Sequence, residues 1–239
     1  MILRIIAFLK DFLLFTRIGY LLLPFSHLFK FLSNFSLLTV WVNSQQKDIF
    51  SDFYTPQRTY ANRIRLYKHI SEVEGLAEIK IHYIEFGVFT GAAYKWWLAE
   101  NKHPESRFYG FDTFEGLPET WGGYAKGAMN SNIPIVNDDR ASFYKGLFQD
   151  RLYKFMEEYQ MYPKAKKVIH MDADLYSSTL FALTMLAPYL RPGDLIFFDE
   201  FNVPNHEFAA WNDFLRSYYL KFETIGAVNN FYQCCFRMI

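Results

Sequence analysis

Hydrophobic and polar positions change rhythm twice along this chain. Up to about residue 46 apolar side chains dominate with few interruptions. From about Asp48 to Ala77 the polarity is mixed. There "YTPQRTYANRIRLYKHISEVEG" carries apolar positions at helical spacing and stops at Gly75, which predicts a helix. From Lys80 onward, short apolar runs alternate with longer amphipathic stretches. "KIHYIEFGV", "SRFYGFD", "ASFYKGLF", "KKVIHMDAD" and "GDLIFFDEF" read as strands. "GAAYKWWLAENK", "QDRLYKFMEEYQMY", "SSTLFALTMLAPYL" and "EFAAWNDFLRSYYLK" read as helices, the third ended by Pro192 and Gly193. "FETIGAV" and "FYQCCFRMI" predict two closing strands joined at an Asn-Asn turn. Strands alternating with helices predict an α/β domain over residues 47–239. Its sheet is expected to be mostly parallel and seven-stranded, with helices on both faces and an antiparallel last strand.

Residues 1–46 form a separate apolar helical segment. Arg4, Lys10, Asp11, Arg17 and Lys30 interrupt it. No uncharged apolar run reaches the ~18–20 residues needed to span a bilayer. No small-residue cleavage site of the signal-peptide kind follows. Two readings fit. One is an interfacial helix or hairpin broken at Pro24, touching a membrane peripherally through residues 1–45 with its cations at headgroup level. The other is a packing or dimerisation segment, which would make the protein a homo-oligomer.

Composition narrows the partners. Twenty-five basic and 25 acidic residues leave a formal net charge of zero, which argues against a nucleic-acid partner. The only cysteines, Cys234 and Cys235, are neighbours in an apolar run. That geometry disfavours a disulfide and predicts buried thiols in the reducing cytoplasm.

Candidate chemistry gathers at strand ends. The run "YIEFGVFTG" closes the first strand of the domain on Glu85 and places Gly87 and Gly91 in the turn that follows. Ligands bind at the carboxyl ends of such strands. The spacing is not the G-x-G-x-x-G that cradles a dinucleotide pyrophosphate, which excludes the common nicotinamide-dependent oxidoreductase pattern. A glutamate there favours a cation. Asp112 ends the second strand 21 residues after Gly91, where an acid accepts ribose hydroxyls. A nucleoside with a cationic tail fits both, and S-adenosylmethionine has that form. Phe86 and Thr113 adjoin these positions and complete the expected cofactor contacts there.

"VIHMDADLYSST" puts Asp172 and Asp174 at one strand end, and "LIFFDEF" puts Asp199 and Glu200 at the next. Clustered carboxylates repel unless a cation lies between them. Asp172, Asp199 and Glu200 are therefore expected to hold Mg²⁺, which takes carboxylates together with substrate oxygens. Asp174 or His170 would accept a hydroxyl proton, with Asp172 completing the catalytic set. Asp174 could instead cap the helix starting near Ser177, and His170 could be a satisfied core histidine.

From about Arg58 onward the sequence resembles the macrocin O-methyltransferase family, class I S-adenosylmethionine-dependent enzymes that methylate sugar hydroxyls. "YIEFGVFTGAA", "FYGFDTFEGLPETW", "HMDADLYSST" and "GDLIFFDEF" carry the resemblance. It implies a Rossmann-like methyltransferase fold and a Mg²⁺-dependent O-methyltransferase acting on a sugar or glycan-type small molecule. It also implies metal positions at Asp172, Asp199 and Glu200, a base at Asp174, and Gly146 and Phe148 near the adenine. Asp199-Glu200 departs from the family's usual aspartate pair. His206 and Glu207 are expected to face the acceptor, and "GLPETWGGYAKGAMNSNIPIVNDDR" reads as a lid. The rival readings are a metal-independent methyltransferase of another small molecule and a non-catalytic, membrane-attached adaptor on the same fold.

Overall fold

Why the acids meet is set by one sheet. The computed structural model describes residues 2–45, 49–159 and 165–239. Its strands are β1 (Phe50–Ser51), β2 (Ile81–Phe86), β3 (Arg107–Asp112), β4 (Ala141–Lys145), β5 (Lys166–Met171), β6 (Leu195–Phe198), β7 (Phe222–Val228) and β8 (Gln233–Met238). They lie in the order β1-β7-β8-β6-β5-β2-β3-β4, and only β8 runs antiparallel to its neighbours. The chain winds outward from β2 through β3 to β4, then returns to β5 on the other side of β2. That reversal opens a crevice at the carboxyl ends of β2 and β5.

Helices α4 (Asn62–Glu74) and α5 (Ala92–Glu100) supply one face of the core. Helices α6 (Phe148–Tyr159), α7 (Tyr176–Leu186) and α8 (Glu207–Tyr218) supply the other. Strand alternation sorts the side chains between them. Tyr83, Phe108, Val168 and Phe197 pack toward α4 and α5, whereas Ile84, Phe86, Phe111 and Phe198 pack toward α6, α7 and α8. Cys234 and Cys235 fall on opposite faces, both buried and free.

Four expectations are corrected. Among the described residues the sheet has eight strands, because Phe50–Ser51 pairs in parallel with Gly226 and Ala227 as a short edge strand. The helix expected from Asp48 begins only at Asn62; Pro56 restricts the residues before it. Helix α7 stops at Leu186 rather than running to Leu190. Pro188 cannot continue it, and Ala187–Tyr189 tightens into a 3₁₀ turn. Helix α8 ends at Tyr218, with Tyr219 left-handed at φ 55°, and not at Lys221. The last residues expected in α6, Gln160 to Tyr162, lie outside the described residues.

The apolar segment forms α1 (Ile2–Phe15), α2 (Gly19–Leu22) and α3 (Ser26–Ser44). Its break is not at Pro24, which sits at the start of a 3₁₀ turn (Leu23–Phe25) where a missing N–H costs little. The break is at Arg17, left-handed at φ 57°. From Gly19 to Ser44 the chain is long and apolar enough to cross a membrane by length and composition alone. All of α1 is exposed, and only Leu38 of α3 is buried. Trp41 docks the end of α3, its ring 4.8 Å from Phe201 and 5.5 Å from Phe231.

Candidate active site

A cavity of about 560 Å³ lies at the carboxyl ends of β2, β3, β5 and β6. Glu85, Gly87, Phe89, Thr90, Asp112, Thr113 and Phe148 line one part, and Asp172, Asp174, Ser178 and Glu200 another. Leu117, Pro118 and Met129 of the long loop complete the wall.

Gly87 makes the junction of β2 and β5 possible. Its φ is +90°, and a Cβ there would stand 1.7 Å from the Asp172 backbone oxygen. No other residue lets the two strand ends approach so closely. Gly91, at φ +77°, precedes α5, and a Cβ there would press to 2.8 Å from Pro134 of the long loop. The space beside Gly91 is thus occupied by that loop, not left open for a ligand.

Glu85 is buried at the cavity wall. The Tyr83 hydroxyl donates to its Oε2 at 2.5 Å. Burial pushes its carboxyl up to about 8, opposed by that bond and by Arg63. Asp112 uses both oxygens on backbone amides: Oδ2 accepts from Phe89 N–H and Oδ1 from Phe114 N–H, each at 2.7 Å. It therefore fixes the turn after β2 to the loop after β3. Thr113 bonds the Gly116 carbonyl at 2.8 Å and also faces the cavity.

Two expected cofactor contacts are corrected. Phe86 is fully buried on the opposite face of β2, its ring stacked 5.3 Å from Phe111, because alternation turns it away from Glu85. Gly146 is not part of the wall; Leu147, Phe148 and Gln149 supply it there. Phe148 packs edge-on to Phe86 at 5.1 Å.

Five carboxylates crowd the other side. Burial, reinforced by Asp199, Asp174, Glu200 and Glu207, holds Asp172 well above the usual carboxylate range. Burial pushes Asp174 up to about 6, while a hydrogen bond with Glu200 acts the other way. Glu200 rises to about 8 through burial and the nearby Asp174. Its Oε1 accepts the Tyr232 hydroxyl at 2.6 Å. Asp199 is buried just off the wall; its Oδ2 accepts the Tyr60 hydroxyl and lies 3.4 Å from Arg63 Nη1. Arg63 also donates to the Tyr60 oxygen at 2.6 Å, its guanidinium 4.0 Å over the ring.

The acid cluster fits a hard cation in chemistry. Asp199 Oδ1 and Glu200 Oε2 are buried without a hydrogen-bond partner, and the donor oxygens are those Mg²⁺ prefers. The side chains do not converge, however. Among the described residues no group of three or more histidines, cysteines or acids is close enough to hold one ion. Tyr60 and Arg63 engage Asp199 instead.

Two further expectations change. His170 is fully buried beneath the carboxylates, with Tyr83 Oη 2.9 Å from Nδ1 and Tyr67 Oη 3.2 Å from Nε2. Burial pushes the ring down to about 3, so it is a neutral core histidine without access to an acceptor. Glu207 does not face the cavity; its Oε2 accepts the Glu200 N–H at 3.0 Å, which orients Glu200 from behind. His206 lies 6.4 Å from Trp121 of the long loop. Tyr60 and Arg63 were not anticipated. They belong to a stretch whose helical spacing indicates packing and gives no sign of the 139-residue separation between Tyr60 and Asp199.

The arrangement is that of a Rossmann-like methyltransferase fold. Residues 84–201 match a family model described as a methyltransferase domain, and this segment carries Glu85 at one end and Glu200 at the other. Among solved structures, the calicheamicin methyltransferase CalS11 aligns with a TM-score of 0.53 and 19% identity, covering 86% of this chain and 91% of that one. The O-methyltransferase NovP aligns with a TM-score of 0.52 and 20% identity, covering 74% and 79%. An apo structure of CalS11, described as a TDP-rhamnose 3'-O-methyltransferase, gives 0.46 and 20%, covering 86% and 93%. At such identities the first two likenesses establish the fold alone. No curated protein matches the sequence.

Proposed function

We propose that the chain is an S-adenosylmethionine-dependent O-methyltransferase acting on a hydroxyl of a sugar or glycan. The observation that carries this reading is one cavity with Glu85, Gly87 and Asp112 on one side and Asp172, Asp174 and Glu200 on the other. The match to a methyltransferase domain supports the cofactor. The resemblance of "GFDTFEGLPE" and "DADLYSST" to motifs of sugar O-methyltransferases supports a sugar.

Glu85 provides the negative charge for the cofactor's cationic end. Asp112 retains lone pairs for ribose hydroxyls, and Leu147 and Phe148 supply apolar surface for the base. Asp174 takes the hydroxyl proton. The acceptor oxygen then forms a bond to the methyl carbon as the carbon–sulfur bond breaks. The electron pair stays on sulfur, and a neutral thioether leaves. The walls mainly hold oxygen, carbon and sulfur in line. No step of this reaction is routed through Mg²⁺, because Asp172, Asp199 and Glu200 do not converge on one ion and Tyr60 and Arg63 engage Asp199.

Isothermal titration calorimetry with S-adenosylmethionine and S-adenosylhomocysteine, each with Mg²⁺ or EDTA, tests the reading. Micromolar binding followed by methyl transfer to a nucleotide sugar or glycan is expected. Absence of binding under every condition would overturn it.

A further inference from the structure

The surface of the N-terminal helices has no role in the proposed reaction. In α1, Ile5, Phe8, Leu9, Phe12 and Leu13 recur at helical spacing, and each is 48% or more exposed. At ~100° per residue, Arg4, Lys10 and Asp11 fall on the other side, with Leu3 and Leu14 exposed between them. Beyond the break, Tyr20 to Leu23 and Phe25, Leu28, Phe29, Phe31, Leu32 and Phe35 are also exposed. An apolar surface of this extent marks an interaction site.

Two observations identify what covers it. Through residues 1–45, four basic residues stand against one acid, on a chain of zero formal charge. A symmetric dimer would bring that excess of positive charge against its own copy, whereas an anionic bilayer complements it. The geometry also decides how the bilayer is met. Lys30 Nζ sits 5.0 Å over the Tyr176 ring, Asn34 Nδ2 donates to Asn205 Oδ1 at 2.9 Å, and Trp41 is docked in the core. From Lys30 onward α3 therefore lies along the domain. The stretch left free, Gly19 to Phe29, measures about 16 Å, about half of the ~30 Å hydrocarbon core.

We propose that residues 2–35 form an interfacial anchor lying in the headgroup–acyl boundary of an anionic bilayer, and that it turns the mouth of the cavity toward that surface. Tyr176 follows Asp174 by two residues, and Asn205 precedes His206, which meets Trp121 of the long loop. The anchor thus leaves the domain beside the acids and the loop that covers them. The inference does not depend on the reaction proposed above.

The test uses the full chain with vesicles of phosphatidylcholine alone or mixed with phosphatidylglycerol. Co-sedimentation should be about tenfold or more stronger with phosphatidylglycerol. It should fall to background in the double variant Phe8→Glu/Phe12→Glu, whose positions touch nothing in the domain, with near-ultraviolet circular dichroism unchanged. Orientation is read with a polarity-sensitive dye on single cysteines. Ser33→Cys and Gly123→Cys, the latter at an open position, should shift to the blue on vesicles. Glu78→Cys, at the opposite end of the strands, should not. Lack of vesicle binding with a dimer in light scattering would overturn the proposal. So would binding that shifts the dye at Glu78 but not at Gly123.

Discussion

The Tyr83 hydroxyl reaches Glu85, two residues further along the same strand, at 2.5 Å. The bond holds a carboxyl that burial pushes up to about 8, so in the free protein Glu85 is largely neutral at pH 7. A cationic cofactor favours the ionised form. Affinity for S-adenosylmethionine should therefore rise with pH up to about 8, and binding at pH 7 should release a proton. Calorimetry in buffers of different ionisation enthalpy measures this directly. In Tyr83→Phe the supporting bond is gone, Glu85 is harder to ionise, and affinity at pH 7 should fall by about tenfold. Unchanged affinity would mean that Glu85 does not face the cation.

Asp174 combines two demands. Its backbone is left-handed at φ 58°, a conformation that asparagine and aspartate tolerate better than most residues. Asn at this position keeps the turn and removes the proton acceptor. Asp174→Asn should lower kcat by about 10²–10⁴-fold while S-adenosylhomocysteine affinity changes by less than about twofold. A wild-type kcat in the variant would eliminate Asp174 as the base.

The contact of Gly87 with Asp172 is a steric prediction with little room for compensation. A methyl group 1.7 Å from a backbone oxygen, at φ +90°, requires the ends of β2 and β5 to separate. Gly87→Ala should destabilise the fold by on the order of 3–5 kcal/mol. Thermal denaturation should show a Tm lower by roughly 10 °C.

His82 makes acid destabilising. Nearly all of its surface is buried, and its Nδ1 lies 3.1 Å from the Tyr159 hydroxyl. Burial, with Lys80, Lys167 and Arg107 nearby, pushes it down to about 4. Because the unfolded value is about 6.5, the unfolded state binds more protons between these limits. Stability is thus fully present above pH 6.5 and is lost as pH falls toward 4, by on the order of 3 kcal/mol. In His82→Gln this component should vanish. Denaturant midpoints of the two proteins, compared at neutral pH and near pH 4, isolate it from the carboxylates.

Much of this architecture was legible in the sequence because apolar runs ending in acids mark strands and their carboxyl ends together. Glu85, Asp112, Asp172, Asp174 and Glu200 were all located in that way and line one cavity. Phe86 was misplaced because a motif is read residue by residue, whereas a strand shows only alternate residues to a ligand. His170 obeys the same alternation as the strand acids. Only the two tyrosine hydroxyls on its ring nitrogens reveal it as core. Tyr60 and Arg63 were beyond reach, since helical spacing says nothing about a carboxylate more than a hundred residues away. The helix break at Arg17 in place of Pro24 was equally hidden, because proline is disruptive inside a helix and harmless in its first turn.

The position of β8 carries a consequence for how the chain comes to be folded. It lies between β6 and β7, both of which precede it in the chain. Until β8 is synthesised, β7 and its partner β1 have no link to the other strands. Asn229 and Asn230, in the turn before β8, bond the amides of Thr59 and Thr55 at 3.0 Å and 2.8 Å and so tether the segment that carries Tyr60. Trp41 packs on Phe231 and Phe236 of the same hairpin. The apolar helices leave the ribosome before the sheet does, yet their dock and the tether of the Tyr60 segment are completed only by a hairpin that emerges after the other strands.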